Sequence, residues 1–173
     1  SHLQAGFRAK TSTVDQVFRL AMIIWKYIAI RKQHLYMAFI DLRAAFDIVP
    51  RDGLWATLRS LRLPNYLLDT LIRLNVGNFA QVHWGILGEL TEKIPINRGV
   101  HQGCVLVPTL FSLYINGVIK ELENCIYDSP KLGNSCVTFL LFVDDTLLLS
   151  QTPLGLQNFL NKFSSFCSSR GLE

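Results

Sequence analysis

The stretch FLLFVDDTLLLS, residues 139–150, constrains this chain more than any other, because it places two like charges between two apolar runs. Runs of this length read as strands, and Asp tolerates turn conformations, so Asp144 and Asp145 fit the two-residue connection of a hairpin. A turn is a sufficient account of the pair taken alone. A site is the other account, and it requires acidic partners elsewhere in the chain.

One partner lies about a hundred residues upstream. In LYMAFIDLRAAFD, residues 35–40 are continuously apolar and short enough for a buried strand, which Asp41 ends. Strands sharing one sheet can carry Asp41, Asp144 and Asp145 to a common edge. Carboxylates about 4 Å apart repel by roughly 4 kcal/mol at an effective dielectric of 20, so such a trio needs protons or a cation. Oxygen ligands without His or Cys favour magnesium over zinc, and magnesium keeps coordination positions for substrate phosphates. Adjacent strand residues face opposite sides, so the two aspartates are not equivalent, and Asp144 is expected to be the stronger ligand. Asp41 as a simple strand-end or cap residue remains open at this point.

Around these segments the pattern alternates helices with strands. Ser12 and Thr13 offer caps for a helix over residues 12–32, on which Val14, Val17, Phe18, Ala21, Ile24, Trp25 and Ile28 trace one face. Pro50 suits the first turn of a second helix bearing Leu54, Leu58 and Leu61, and Pro64 separates it from a third, YLLDTLIRL. Residues 77–98 suggest a short hairpin. Pro108 opens a helix on which Leu110, Phe111, Tyr114, Ile115, Val118, Ile119 and Leu122 recur at helical spacing, and a final amphipathic helix ends at Gly171. Without strict strand–helix–strand regularity, this order predicts an α+β fold with helices against an antiparallel sheet.

Composition narrows the function classes. Half of the 173 residues are hydrophobic, which supports a folded core, yet no apolar run reaches the ~20 residues of a membrane span. Cys104, Cys125, Cys136 and Cys167 lack metal-ligand spacing and read as reduced, mostly buried small hydrophobes. Residues 1–73 hold eleven Lys/Arg against five Asp/Glu, the remainder six against eight, so the basic half favours polyanions.

Four segments in order carry a more specific signal: QAGFR (4–8), FIDLRAAFD (39–47), RGVHQGCVLVPTLFSLYING (98–117) and FVDD (142–145). Together they resemble the motifs of reverse transcriptases, in particular those of non-LTR, LINE-type retrotransposons. The resemblance covers nearly all of the chain. It implies a right-hand polymerase palm with part of the fingers, expected here as a single reverse transcriptase domain fragment over residues 1–173 without upstream fingers or thumb.

The resemblance also implies roles. Asp41, Asp144 and Asp145 become catalytic ligands of two Mg2+ ions, with Mn2+ as a substitute. Phe46 falls where the family places a steric gate against ribonucleotides, the alternative being a core aromatic. Gln102 and Gly103 match the loop under the incoming nucleotide, where Gly permits close backbone approach, and Gln102 is otherwise a loop polar group. Arg43 would help hold nucleic-acid backbone or nucleotide, Arg8 would touch template or serve as a surface residue, and Asp47 is expected to be structural. His101, Val107 and Val143 depart from the commoner residues of the family without removing a metal ligand. The implied activity is RNA-directed DNA synthesis in retrotransposition, with RNA template, DNA primer and deoxynucleoside triphosphates as partners and no membrane. Cytoplasmic synthesis followed by action in the nucleus is the implied location. The rival is a catalytically inactive nucleic-acid-binding remnant.

Overall fold

A three-stranded antiparallel sheet organises the chain, and its central strand is the second arm of the aspartate hairpin. The computed structural model describes residues 12–85, 89–100, 104–123, 128–142 and 145–173. In chain order the elements are α1 (Thr13–Ile24), continued by a π-helical stretch (Trp25–Ile30), then β1 (Tyr36–Ile40), α2 (Arg51–Ser60) and α3 (Asn65–Asn75). Four two-residue strands follow, β2 (Phe79–Ala80), β3 (His83–Trp84), β4 (Glu89–Leu90) and β5 (Ile94–Pro95). Next come α4 (Val107–Ile115), α5 (Gly117–Glu123), β6 (Lys131–Leu132), β7 (Ser135–Cys136), β8 (Phe139–Phe142), β9 (Asp145–Ser150) and α6 (Pro153–Ser169). The sheet order is β1-β9-β8. No helix among the described residues is long and apolar enough to cross a membrane.

The sheet is apolar on both faces because helices cover both. Ala38, Ile40, Phe139, Leu141 and Leu148 join the larger core with α2, α4 and α6, while Met37, Leu140, Leu147 and Leu149 join a smaller core with Ile23 and Tyr27 of the first helix. Burial on both sides explains why the strands read as continuous apolar runs rather than as alternation. Register follows from the same requirement, since a slip of one residue would exchange the two faces.

The first helix corrects its expected orientation. Ser12 and Asp15 form the capping box, with the Asp15 carboxylate accepting from the Ser12 N–H at 2.7 Å. Yet the buried side carries Gln16, Ile23 and Tyr27, and the more hydrophobic stripe faces outward, with Val14, Val17, Phe18, Trp25 and Ile28 all exposed. The two stripes lie on opposite sides of the helix. The sheet selects Ile23 and Tyr27 because they fit its smaller core, and Gln16 is fixed by donating its side-chain N–H to the Leu141 carbonyl at 3.4 Å.

Elsewhere the expectations are met with local changes. Leu54 and Leu58 are buried, but Leu61 follows the end of α2 and is exposed. The apolar set from Leu110 to Leu122 is buried, on two helices divided at Asn116. Among the described residues of 77–98, β2 pairs with β5 and β3 with β4. Gly171 has φ +64°, its N–H donates to the Ser168 carbonyl, and the Leu172 N–H donates to the Cys167 carbonyl, the paired bonds of a Schellman cap. The cysteines differ from expectation: Cys167 is buried, Cys136 half-buried and Cys104 exposed, all with free thiols, while Cys125 lies outside the described residues.

Candidate active site

The antiparallel register decides where the acidic residues go. Ile40 of β1 pairs with Thr146 of β9, so the next step of the same ladder sets Asp41 beside Asp145. On the other side Phe142 pairs with Asp145, which places Asp145 in a strand rather than in the turn. The hairpin is therefore offset by one residue from the one centred on the aspartate pair. The core dictates the offset, because Leu141 and Thr146 must point with Ile40 into the larger core.

Side-chain alternation then puts Asp41 and Asp145 on one face, with Phe39 and Leu147 next along it. Both carboxylates are solvent-exposed and line one cavity of about 390 Å³, bounded by Thr13, Gln16 and Val17 of α1 and by Phe39 of β1. Directly opposed antiparallel residues have Cα atoms about 4.5–5.5 Å apart, a spacing that lets two carboxylates share one cation. Oxygen donors at an exposed edge, without sulfur or imidazole, suit a hard divalent ion. Asp144, the expected stronger ligand, lies outside the described residues. Among the described residues no three His, Cys, Asp or Glu side chains gather into a metal site.

The loop after Asp41 carries the next candidates. Phe46 is half-buried, its ring 4.9 Å from that of Phe111 at an interplanar angle of 50°, so α4 fixes its position. Arg43 has an exposed side chain, and its backbone N–H donates to the Glu173 carbonyl at 2.9 Å. Ala44 adopts φ +46°, a conformation rare for a residue with a Cβ, and its carbonyl accepts from the Asp47 and Ile48 N–H groups. Gln102, Gly103, His101, Val143 and Arg8 all fall outside the described residues.

Three contributors escaped the sequence reading. Gly99, with φ +75°, packs so tightly that a Cβ there would lie 2.5 Å from the Asp47 carbonyl oxygen. The Gly99 and Val100 N–H groups donate to the Val49 and Phe46 carbonyls, each at 2.9 Å, and so join the RGVHQG segment to the Asp41 loop. Arg51 donates from Nε to the Gly99 carbonyl at 3.0 Å and from a terminal nitrogen to the Asn75 carbonyl at 2.6 Å. Phe39 is 75% exposed in the sheet beside Asp41, although its apolar surroundings imply burial. The glycine in RGVHQG was a visible signal for the first of these; no local pattern marks Arg51 or Phe39.

A profile of the reverse transcriptase (RNA-dependent DNA polymerase) family matches residues 1–173. This chain belongs to the reverse transcriptase family. It is 31% identical over 138 residues to the Pol polyprotein of the type-2 retrotransposable element R2DM of Drosophila melanogaster, covering 80% of this chain and 13% of that protein. To the RNA-directed DNA polymerase from the Drosophila melanogaster mobile element jockey it is 27% identical over 172 residues, covering 96% of this chain and 18% of the relative. The chain thus spans less than a quarter of the length of these relatives. Among solved structures, Candida tropicalis apo telomerase truncated from its C-terminal domain superposes with a TM-score of 0.70 at 15% identity, over 98% of this chain and 34% of that one. Telomerase from Candida albicans, in complex with a fragment of telomeric RNA, gives 0.70 at 14% identity over 98% and 30%. The fold is accordingly the α+β polymerase palm with part of the fingers.

Proposed function

We propose that this reverse transcriptase chain carries the catalytic edge of an RNA-directed DNA polymerase, acting by two-metal nucleotidyl transfer in the retrotransposition of a non-LTR element. One observation carries the reading: β1 and β9 bring Asp41 and Asp145, remote in sequence, to one exposed edge and one cavity. Asp144, adjacent in sequence to Asp145, is proposed as the third carboxylate. Magnesium held by these three residues would supply activation of the primer 3′-hydroxyl and charge stabilisation at the nucleotide phosphates.

The chain's own groups position the reactants. Asp41 and Asp145 provide fixed negative oxygens on a sheet edge, which moves less than a loop. Phe46, held by Phe111, is the sugar-facing gate, so Phe46→Ala should admit ribonucleotides. By resemblance to the family's motif, Gln102 and Gly103 serve the incoming nucleotide, and Arg43 neutralises backbone phosphate without reading sequence. RNA template, DNA primer and deoxynucleoside triphosphates are the substrates, and residues 1–173 act as a palm and partial-fingers unit of a longer polymerase that works in the nucleus after cytoplasmic synthesis.

Primer extension on poly(rA)/oligo(dT) with magnesium tests the reading. Extension by the chain, abolished in Asp41→Asn and Asp144→Asn, is the expected result. Salt-sensitive nucleic-acid binding without extension would favour a non-catalytic binding module.

A further inference from the structure

A second cleft shares no lining residue with the cavity at Asp41 and Asp145, and its chemistry is opposite to that of the carboxylate edge. It opens between α2, α3 and the β2–β5 ribbon with a volume of about 1150 Å³. Arg51, Arg59, Lys93 and Arg98 line it, and among its described lining residues only Asp52 is acidic. Arg59, Lys93 and Arg98 are exposed, while Arg51 is half-buried and fixed by the carbonyls of Gly99 and Asn75. Burial lowers the Arg51 pKa from its ordinary value but cannot discharge a guanidinium near neutral pH, so the cleft floor keeps a fixed cation.

Two further features narrow the class of ligand. Phe79, a residue 48% exposed, lines the cleft, and the Lys93 ammonium lies 4.4 Å from its ring centroid. Asn75, Asn78 and Asn97 add amide donors and acceptors to the same wall. Clustered cations satisfy a phosphodiester backbone, and an exposed aromatic offers a platform for an unpaired base. A duplex keeps its bases stacked and would leave the ring unused. A protein acidic patch would satisfy the charges but not the pairing of cation and aromatic.

We propose that the cleft between α2, α3 and the β2–β5 ribbon is a binding track for single-stranded nucleic acid, separate from the metal edge. The backbone lies along Arg51, Arg59, Lys93 and Arg98, and a base stacks on Phe79. RNA and DNA share this chemistry and are separated by the test. The inference does not depend on catalysis or on magnesium.

The test measures anisotropy of labelled single-stranded RNA and DNA oligonucleotides with the full 173-residue chain in EDTA, over a range of salt concentrations. Each single-strand phosphate contact contributes about 0.7 to the slope of log K against log salt, so Arg59→Ala with Lys93→Ala should reduce the slope by about 1.4 and weaken binding at least about tenfold. Phe79→Ala should weaken binding roughly tenfold with little change in slope. Lys131→Ala with Lys162→Ala, outside the cleft, should change neither. Ultraviolet cross-linking of a bromouridine-substituted strand should attach to the peptide containing Phe79. An unchanged slope in the Arg59 and Lys93 variant, equal binding of blunt duplex, or cross-links confined to residues 36–49 would overturn the proposal. Failure of primer extension would leave each of these readouts intact.

Discussion

At the scale of single residues, the positions around the Asp41 loop hold backbone geometry that substitutions can probe. Gly99→Ala combines a left-handed φ with a Cβ against the Asp47 backbone, so it should cost about 3 kcal/mol or more in denaturant unfolding. Ala44→Gly runs the other way, since relief of its positive φ outweighs the extra freedom of the unfolded glycine; a gain of up to about 1 kcal/mol is expected. Thiol chemistry separates the cysteines: Cys104 should react rapidly with an aromatic disulfide reagent and Cys167 only on unfolding. Burial pushes the Cys167 thiol up from 9.0 to about 11. The unfolded chain therefore loses this proton first, so the associated stability is complete below about pH 9 and is lost as pH rises towards 11. Cys167→Ala should flatten part of the alkaline decline in midpoint temperature, and an unchanged decline would contradict the assignment.

At the scale of elements, α1 is the most informative. It carries two apolar stripes, and the sheet buries the less hydrophobic one. Ile23→Ala should cost about 2–5 kcal/mol, whereas Phe18→Ser on the outward stripe should stay within about 0.5 kcal/mol. Equal effects would mean that the helix faces the other way. Arg170 closes α6 onto its neighbours. Its guanidinium donates to the Thr57 hydroxyl at 2.8 Å and lies 5.4 Å from the centroids of Tyr114 and Phe166, while the Tyr114 hydroxyl donates to the Arg170 carbonyl at 2.6 Å. Burial raises the Tyr114 pKa, opposed by Arg170, so this phenol stays a donor well into the alkaline range.

At the scale of the whole molecule, two cores flank one sheet, and the metal edge lies at the end of that sheet rather than on a free loop. Ligand binding to the folded state alone raises stability with concentration, so magnesium should raise the midpoint temperature of the chain. That rise should vanish in Asp41→Asn and persist in Asp52→Asn, whose carboxylate lines the other cleft. Loss of the rise in both variants, or in neither, would separate the stabilisation from the carboxylate edge.

Local order along the chain was enough to recover much of this protein. Apolar run length marked β1 and the β8–β9 hairpin, Ser12 and Gly171 marked helix ends, and four ordered motifs identified the family with Asp41, Asp144 and Asp145 as candidate ligands. These features depend on neighbours within a few residues, where period, caps and turn chemistry act. Other features required the assembled molecule: the outward stripe of α1, the hairpin offset that puts Asp145 in a strand, the contact of Gly99 with Asp47, and the cations gathered from α2 and the flanks of β5. Each is a choice between alternatives that local energetics leave nearly equal. Long-range packing made the choice, because only the closed sheet fixes which side chains share a core and which remain facing water.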